Sequence, residues 1–414
     1  MKDIKSHDEL SELIKKEIGI SKGSHLKIAD INISFDLNLG WVFYKIKEYV
    51  EVETSELPEE SEELRYYELI IITFENCNFR KIECSNILED NVFEVNIFSG
   101  SIDTLEVIDS IISAKFYINK QYGGNKEPIK INNLLIMDSV FKDNFKLHNA
   151  QINVFSIENT DFEKHADFFK SAFQRGTLKK DIKENINEND IGFKGINFRG
   201  LALFGNTTFA KKLIFKYVTF ESYSHFRQAK LPRGLDLDYA NIQKEMNFFD
   251  VQELDSEKAK KNTSQETYRI IKHNFSGIGN NIESNKYLAL ELEKKKINLE
   301  NEEPRKWLDY LVFKVHWVSS RFGTNWLRAF ILICLTSLFT VVFMHFTLVL
   351  DVIITPNLFR CEYIGKVFSE FFQYIYILNK SEVWESNPGI LLFNKTLLGY
   401  LYYQFLVSIR KNAT

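Results

Sequence analysis

Phenylalanine recurs at Phe193, Phe198, Phe204, Phe209, Phe215, Phe220 and Phe226, and Leu231 takes the next place in the series. The intervals alternate between five and six, so the repeat is eleven residues long. Two positions before each of these sits Ile191, Ile196, Ala202, Thr207, Leu213, Val218, Ser224 or Ala229. An α-helix repeats every ~3.6 residues and a strand every ~2, so neither generates this series by itself. A fixed period with one large and one smaller inward position predicts a solenoid, in which stacked coils bury a continuous core.

The pattern reaches further back. Leu147, Ile152, Ile157, Phe162, Phe168 and Phe173 continue it at spacings of five or six, with Ala150, Thr160, Ala166 and Ser171 as smaller partners. Earlier still, Ile72, Cys77, Ile82, Ile87, Val92, Ile97, Ile102, Val107, Ile112 and Tyr117 are apolar at every fifth residue. The spacing does not assign that early column to the large or the small position. This sequence resembles the pentapeptide-repeat family, whose coils form a right-handed quadrilateral β-helix. The resemblance covers roughly residues 70–250, with interruptions near 119–130 and 174–190. It speaks to fold and says little about function.

A chain of 414 residues exceeds one ordinary core, so several domains are expected. Residues 1–70 read as an α/β cap, 71–250 as the β-helix, 262–300 as a helical hairpin, 304–321 as an amphipathic interfacial helix and 327–411 as a transmembrane module. A net charge of −4 argues against a generally basic nucleic-acid binder. Cys77, Cys84, Cys334 and Cys361 form no CxxC pair and read as reduced cysteines rather than disulfides or metal ligands. Met1 to Glu17 lacks the apolar stretch of a secretory signal.

Near the start, Leu10, Leu13 and Ile14 predict a helix over Ser6–Ile18, stopped by Gly19. Ile28–Phe35 and Trp41–Val50 read as β-rich. The acidic run from Glu51 to Glu63 reads as a solvated loop. Within the coils, Arg199, Lys216 and Arg227 are expected to face solvent. After the repeats, Tyr268, Ile271 and Phe275 form one helical stripe, and Tyr287, Leu290 and Ile297 another, joined through Gly277 to Asn281. That hairpin resembles the segment joining pentapeptide repeats to membrane helices in some bacterial proteins.

Ala329 to Leu350 contains no Asp, Glu, Lys or Arg over 22 residues. At ~1.5 Å per residue this spans about 33 Å, enough for a hydrocarbon core near ~30 Å. Ahead of it, Trp307, Leu308, Leu311, Val312 and Val315 share one side of a helix flanked by Lys306, Lys314 and Arg321, suited to a headgroup layer. Gly389 to Ile409 predicts a second span, broken only by Lys395. Basic residues at both flanks (Lys314, Arg321, Arg328; Arg410, Lys411) place both ends inside, giving a multi-pass protein of a bacterial inner membrane with cytoplasmic termini.

Between the spans, Val367 to Leu378 reads as a surface or re-entrant half-helix. Two spans around a half-helix resemble the ion-channel module that some pentapeptide-repeat proteins carry. The stretch Asn379 to Gly389 lacks a Thr-x-Gly-Tyr-Gly filter, so potassium selectivity is not implied. His345, Glu370 and Lys395 are the candidate pore or membrane-functional residues. No HExxH, nucleophile elbow, Walker loop or Rossmann fingerprint is present, so the expectation is a non-enzyme without cofactor or metal. Some pentapeptide-repeat proteins mimic duplex DNA, but that needs a strongly acidic stripe, and this coil interleaves lysine with acid, as in Lys211-Lys212. The expected role is an interaction scaffold held at membrane lipid with an unidentified protein partner, and the alternative is an oligomeric pore of second copies of the chain.

Overall fold

The structure, a computed structural model, describes residues 1–21, 25–55, 70–85, 93–119, 127–180, 186–301, 306–344, 361–377 and 388–413. The chain divides into two compact units, Met1–Asn274 and Phe275–Thr414.

In the first unit, a parallel sheet curls on itself in the manner of a β-solenoid. Phe193 pairs in register with Phe215, Phe198 with Phe220, Ala202 with Ser224 and Leu213 with Leu235, each 22 positions on. Two eleven-residue repeats therefore make one coil. Earlier coils are slightly shorter or longer: Ile131 pairs with Ile152, 21 on, and Ile72 with Val95, 23 on. The coil that starts at Ile191 carries four short strands, Ile191–Lys194, Asn197–Phe198, Ala202–Leu203 and Thr208–Phe209, and in the next coil the first two merge into Leu213–Phe220.

All seven phenylalanines of the ladder, and Leu231, are buried. Their rings stack coil on coil: Phe162 on Phe198 at 5.3 Å, Phe198 on Phe220 at 5.2 Å, Phe168 on Phe204 at 5.1 Å and Phe204 on Phe226 at 4.8 Å. Each buried ring contributes about 1.5–3 kcal/mol of transfer free energy, before any gain from stacking. Some of the smaller positions hold hydroxyl side chains, which are costly to bury unbonded. Instead Ser171 Oγ donates to the Leu147 carbonyl at 2.7 Å and Thr207 Oγ1 to the Phe168 carbonyl at 2.9 Å, both reaching into the preceding coil.

The corners need left-handed backbone, which Asn and Asp tolerate better than most side chains. Asp109, Asp138, Asn159, Asn149 and Asn206 supply it. Asn159 Nδ2 also donates to Asp138 Oδ1 at 3.0 Å, linking successive corners. At the next coil Gly195 takes the position (φ 64°), and a Cβ there would lie 2.6 Å from Asn159 Oδ1. Tyr217 then adopts the same conformation (φ 57°) despite its bulk, and its ring meets Tyr239 at 5.8 Å on the exposed surface.

The N-terminal segment is the first turn of this solenoid. Lys2–Ile4 pairs with Ile31–Asn38, and both His25–Ala29 and Ile31–Asn38 pair with Ile70–Ser85. Helix α1 (His7–Ser21) runs through Gly19 rather than stopping there. Helix α2 (Leu39–Ser55) replaces the strand expected at Trp41–Val50. Leu39, Val42, Phe43 and Ile46 are buried at helical spacing, which the β-branched and aromatic composition concealed. Two interruptions are narrower than expected. Ile129–Met137 is an ordinary coil strand, and Ala172–Gly176 still pairs with the preceding coil, so the second excursion starts only after Gly176.

At the far end, helices α3 (Glu257–Asn262) and α4 (Gln265–Gly277) close the sheet edge. Thr263 Oγ1, Thr267 Oγ1 and Asn274 Oδ1 accept from the backbone N–H groups of Leu235 (3.2 Å), Leu237 (2.9 Å) and Met246 (2.8 Å). An open parallel edge would otherwise present those donors to another strand. Tyr268 and Ile271 pack into the core, as their stripe requires.

The second unit is helical: α5 (Asn281–Asn301), α6 (Trp307–Ser320), α7 (Trp326–Met344), α8 (Cys361–Ile375) and α9 (Pro388–Ala413). Phe275 stacks on Tyr287 at 5.5 Å, and Ser276 hydrogen-bonds Ser284 at 2.7 Å. Ile297, expected on the inner stripe, is exposed. Arg321, Phe322 and Gly323, all with positive φ, turn the chain sharply from α6 into α7.

Candidate functional site

The second unit distributes its side chains in reverse. On α7, Ala329, Ile333, Ser337, Thr340 and Val341 face inward, while Phe330, Leu335, Leu338, Phe339 and Phe343 face out. On α9, Asn394, Gln404 and Ser408 are buried beside Leu398 and Leu401, while Leu392, Phe393, Tyr403 and Leu406 face out. Phe339 is 68% exposed and Phe393 69%, against 2% for Asn394. Water would drive the opposite arrangement. Small and polar residues between helices, with large apolar ones outside, suit a solvent that is itself hydrocarbon.

The buried polar groups find one another. Asn394 Nδ2 donates to Thr340 Oγ1 at 2.7 Å, and Thr340 Oγ1 donates to the Thr336 carbonyl at 2.9 Å. Ser320 Oγ donates to Gln404 Oε1 at 2.8 Å, and Ser319 shares a hydrogen bond with Tyr400 at 3.2 Å. Asn394 Oδ1 and Ser337 Oγ have no partner among the described residues. Asn394 lines a groove of about 550 Å³ between α7 and α9, with Leu338, Phe339, Phe343, Ile390 and Phe393.

Among the described residues, one helix, Trp326–Met344, is long and apolar enough to cross a bilayer. This revises the expectation of two such spans. Helix α9 has the length, with 26 residues, but Asn394, Lys395, Gln404, Arg410 and Lys411 make it too polar to pass alone. The expected end of the first span, 345–350, lies outside the described residues, and so does His345.

Lys395 turns its ammonium onto the Tyr376 carbonyl at 2.6 Å, just beyond the end of α8. Glu370 is half-buried on α8, whose Phe368 and Phe372 face outward and whose Tyr374 is buried against Val341 and Leu391. Helix α6 also matches its expected face: Trp307, Leu308, Leu311, Val312 and Val315 are all exposed.

On the solenoid, Arg199 and Arg227 are exposed, and Arg199 pairs with Asp161 at 2.7 Å. Lys216 is half-buried, its ammonium 5.5 Å from the Tyr217 ring centre. Lys212 departs from expectation. It is 1% exposed and pairs with Asp236 at 2.8 Å, so it does not lighten an acidic surface. Burial pushes the nearby Asp190 carboxyl above the usual range, opposed by bonds from Asn187 and the Lys212 charge. His148 lies 2.9 Å from Asp167, and Asp167 also acts on His225, whose imidazole is held below its ordinary value chiefly by burial. Among the described residues no three His, Cys, Asp or Glu side chains gather to hold a metal. Burial raises both Cys77 and Cys84, to about 11 and about 12, which keeps them as thiols.

No family model, curated protein or solved structure matches this chain.

Proposed function

We propose that this chain is an interaction scaffold held at a membrane, with a pentapeptide-repeat type solenoid, right-handed and quadrilateral, carried by a bilayer-embedded helical unit. The observation that supports the reading best is the inverted burial on α7 and α9, where exposed Phe339 and Phe393 flank a buried Asn394. In this reading α9 crosses beside α7 because its polar face is bonded against its neighbours and only the apolar face meets lipid. Arg328 at the start of α7 and Arg410 and Lys411 at the end of α9 then favour a bacterial inner membrane with both termini cytoplasmic. The solenoid's contact surface centres on Tyr217 and Tyr239, whose rings meet while both stay exposed, because exposed aromatics make strong interface anchors. Cross-linking of the full chain in native membranes, followed by peptide mapping, tests this. Hetero-protein adducts near residues 217 and 239 support the scaffold; membrane fractions without any would sink it.

A second reading, an oligomeric pore without a potassium filter, is favoured by Asn394, which lines the groove and whose buried Oδ1 has no partner among the described residues. Asn side chains in hydrocarbon promote helix association. Full-length protein that remains monomeric and passes no current across planar bilayers removes this alternative.

A further inference from the structure

Trp317 on α6 is approached by two cations. Lys296 Nζ on α5 lies 4.1 Å from the indole ring centre, and the Arg328 guanidinium, in the first turn of α7, lies 5.6 Å from it. Lys295 Nζ sits 5.1 Å from the neighbouring Phe313 ring. The Trp317 indole N–H is buried with no acceptor among the described residues. Ammonium, guanidinium and indole N–H can donate but never accept, so these groups cannot satisfy one another. Neither Lys296 nor Arg328 meets a carboxylate among the described residues. On α5, Glu293 pairs instead with Arg321, at 3.8 Å. Three helices thus bring together donors and positive charge around one aromatic platform, and the missing component is an anion rich in acceptor oxygens.

We infer that Lys296, Trp317 and Arg328 form a site for a phosphate-bearing anion, and that its occupant is the phosphodiester headgroup of an anionic lipid. Phosphate supplies acceptors for all three groups at once. The entering oxygen meets the indole N–H as the long Lys296 stem swings from over the ring onto the phosphate. The lipid source follows from position. Arg328 opens the apolar helix α7, and the exposed Trp326 and the apolar side of α6 adjoin it in sequence, so the site lies at headgroup depth. This inference rests on the membrane reading above and deepens it.

The test uses the purified full chain in detergent micelles and in phospholipid nanodiscs. Lipid retention is compared for dioleoylphosphatidylglycerol and dioleoylphosphatidylcholine by native mass spectrometry, with and without millimolar inorganic phosphate. A clear preference for the anionic lipid is expected, and phosphate alone should not displace it. The double variant Lys296→Gln/Arg328→Gln should lower that preference roughly tenfold or more, because each basic side chain near a lipid surface carries a substantial share of the attraction. Trp317→Phe keeps the aromatic platform and removes only the donor, so it should lower the preference by a smaller factor. Lys164→Gln, in an exposed solenoid pair with Asp143, should leave it nearly unchanged.

Equal retention of both lipids, or a double variant with undiminished preference, overturns the inference while leaving the membrane reading intact. Full displacement by inorganic phosphate assigns the site to the free anion and overturns the lipid assignment. A chain that enters neither nanodisc overturns both.

Discussion

The two units bury opposite halves of a similar alphabet. In the solenoid, Phe193, Phe198, Phe204 and their neighbours stack in the interior while Arg199 and Arg227 face out. In the helical unit, Phe330, Phe339, Phe343 and Phe393 face out while Ser337, Thr340, Asn394 and Gln404 are enclosed. A side chain is buried relative to a solvent, and phenylalanine gains little by leaving hydrocarbon for a protein interior that resembles it. On the membrane reading proposed above, the contrast reflects two different solvents around one polypeptide.

The contrast breaks most readily at the phenylalanines. Phe204→Ala should destabilise the first unit by about 3–5 kcal/mol, through lost transfer energy and an unfilled cavity. Phe339→Ala, on the outward face of α7, should change the stability of the membrane-reconstituted chain by less than ~1 kcal/mol. Denaturant titration of both variants in lipid checks this, and equal costs would erase the distinction between the units.

Charge sharpens it next. Lys212→Ala leaves Asp236 without its buried partner and should cost about 3 kcal/mol. Arg199→Ala, from an exposed pair, should cost less than ~1 kcal/mol in the same titration.

Polar contacts in the helical unit should be worth less. Asn394→Val removes the bond to Thr340 and should cost about 1 kcal/mol, read from unfolding in mixed micelles. A cost of several kcal/mol would mean that the pair works as a polar core in water does.

The smallest effect is a pH slope. Burial holds His225 below its ordinary value, with Asp167 opposing and Arg227 adding to the shift. The unfolded chain then takes up a proton below ~6.5 that the folded chain accepts only at lower pH. The stabilisation is present above that value and is lost as pH falls through the folded one. The melting temperature of the first unit should decline from pH 7.5 toward 5.5, and His225→Gln should flatten the decline.

The solenoid was legible because each coil repeats a short-range rule. Phe198 and Phe220 satisfy the same inward position, and the eleven-residue period needs no knowledge of what lies beside it. Interruptions were less so, since Ile129–Met137 and Ala172–Gly176 are recognised as coil strands only by their partners. Lys212 was missed because Asp236, its partner, is 24 residues away and meets it only once a coil has closed. Trp41–Val50 was misread because its residues favour strands, although their positions follow a helix. In the helical unit composition announced α7, whereas Asn394, Lys395 and Gln404 obscured α9 until their inward contacts were visible. The donors around Trp317 come from three helices, and no local motif marks them.

The central claim is that the outward face of the helical unit meets lipid. A photo-reactive benzophenone amino acid placed at Phe339, at Phe393 or at Tyr217 in the full chain, and illuminated in native membranes, tests it directly. Lipid adducts are expected at 339 and 393 and none at 217. Adducts to water-soluble protein at 339 and 393, without lipid, would contradict the claim.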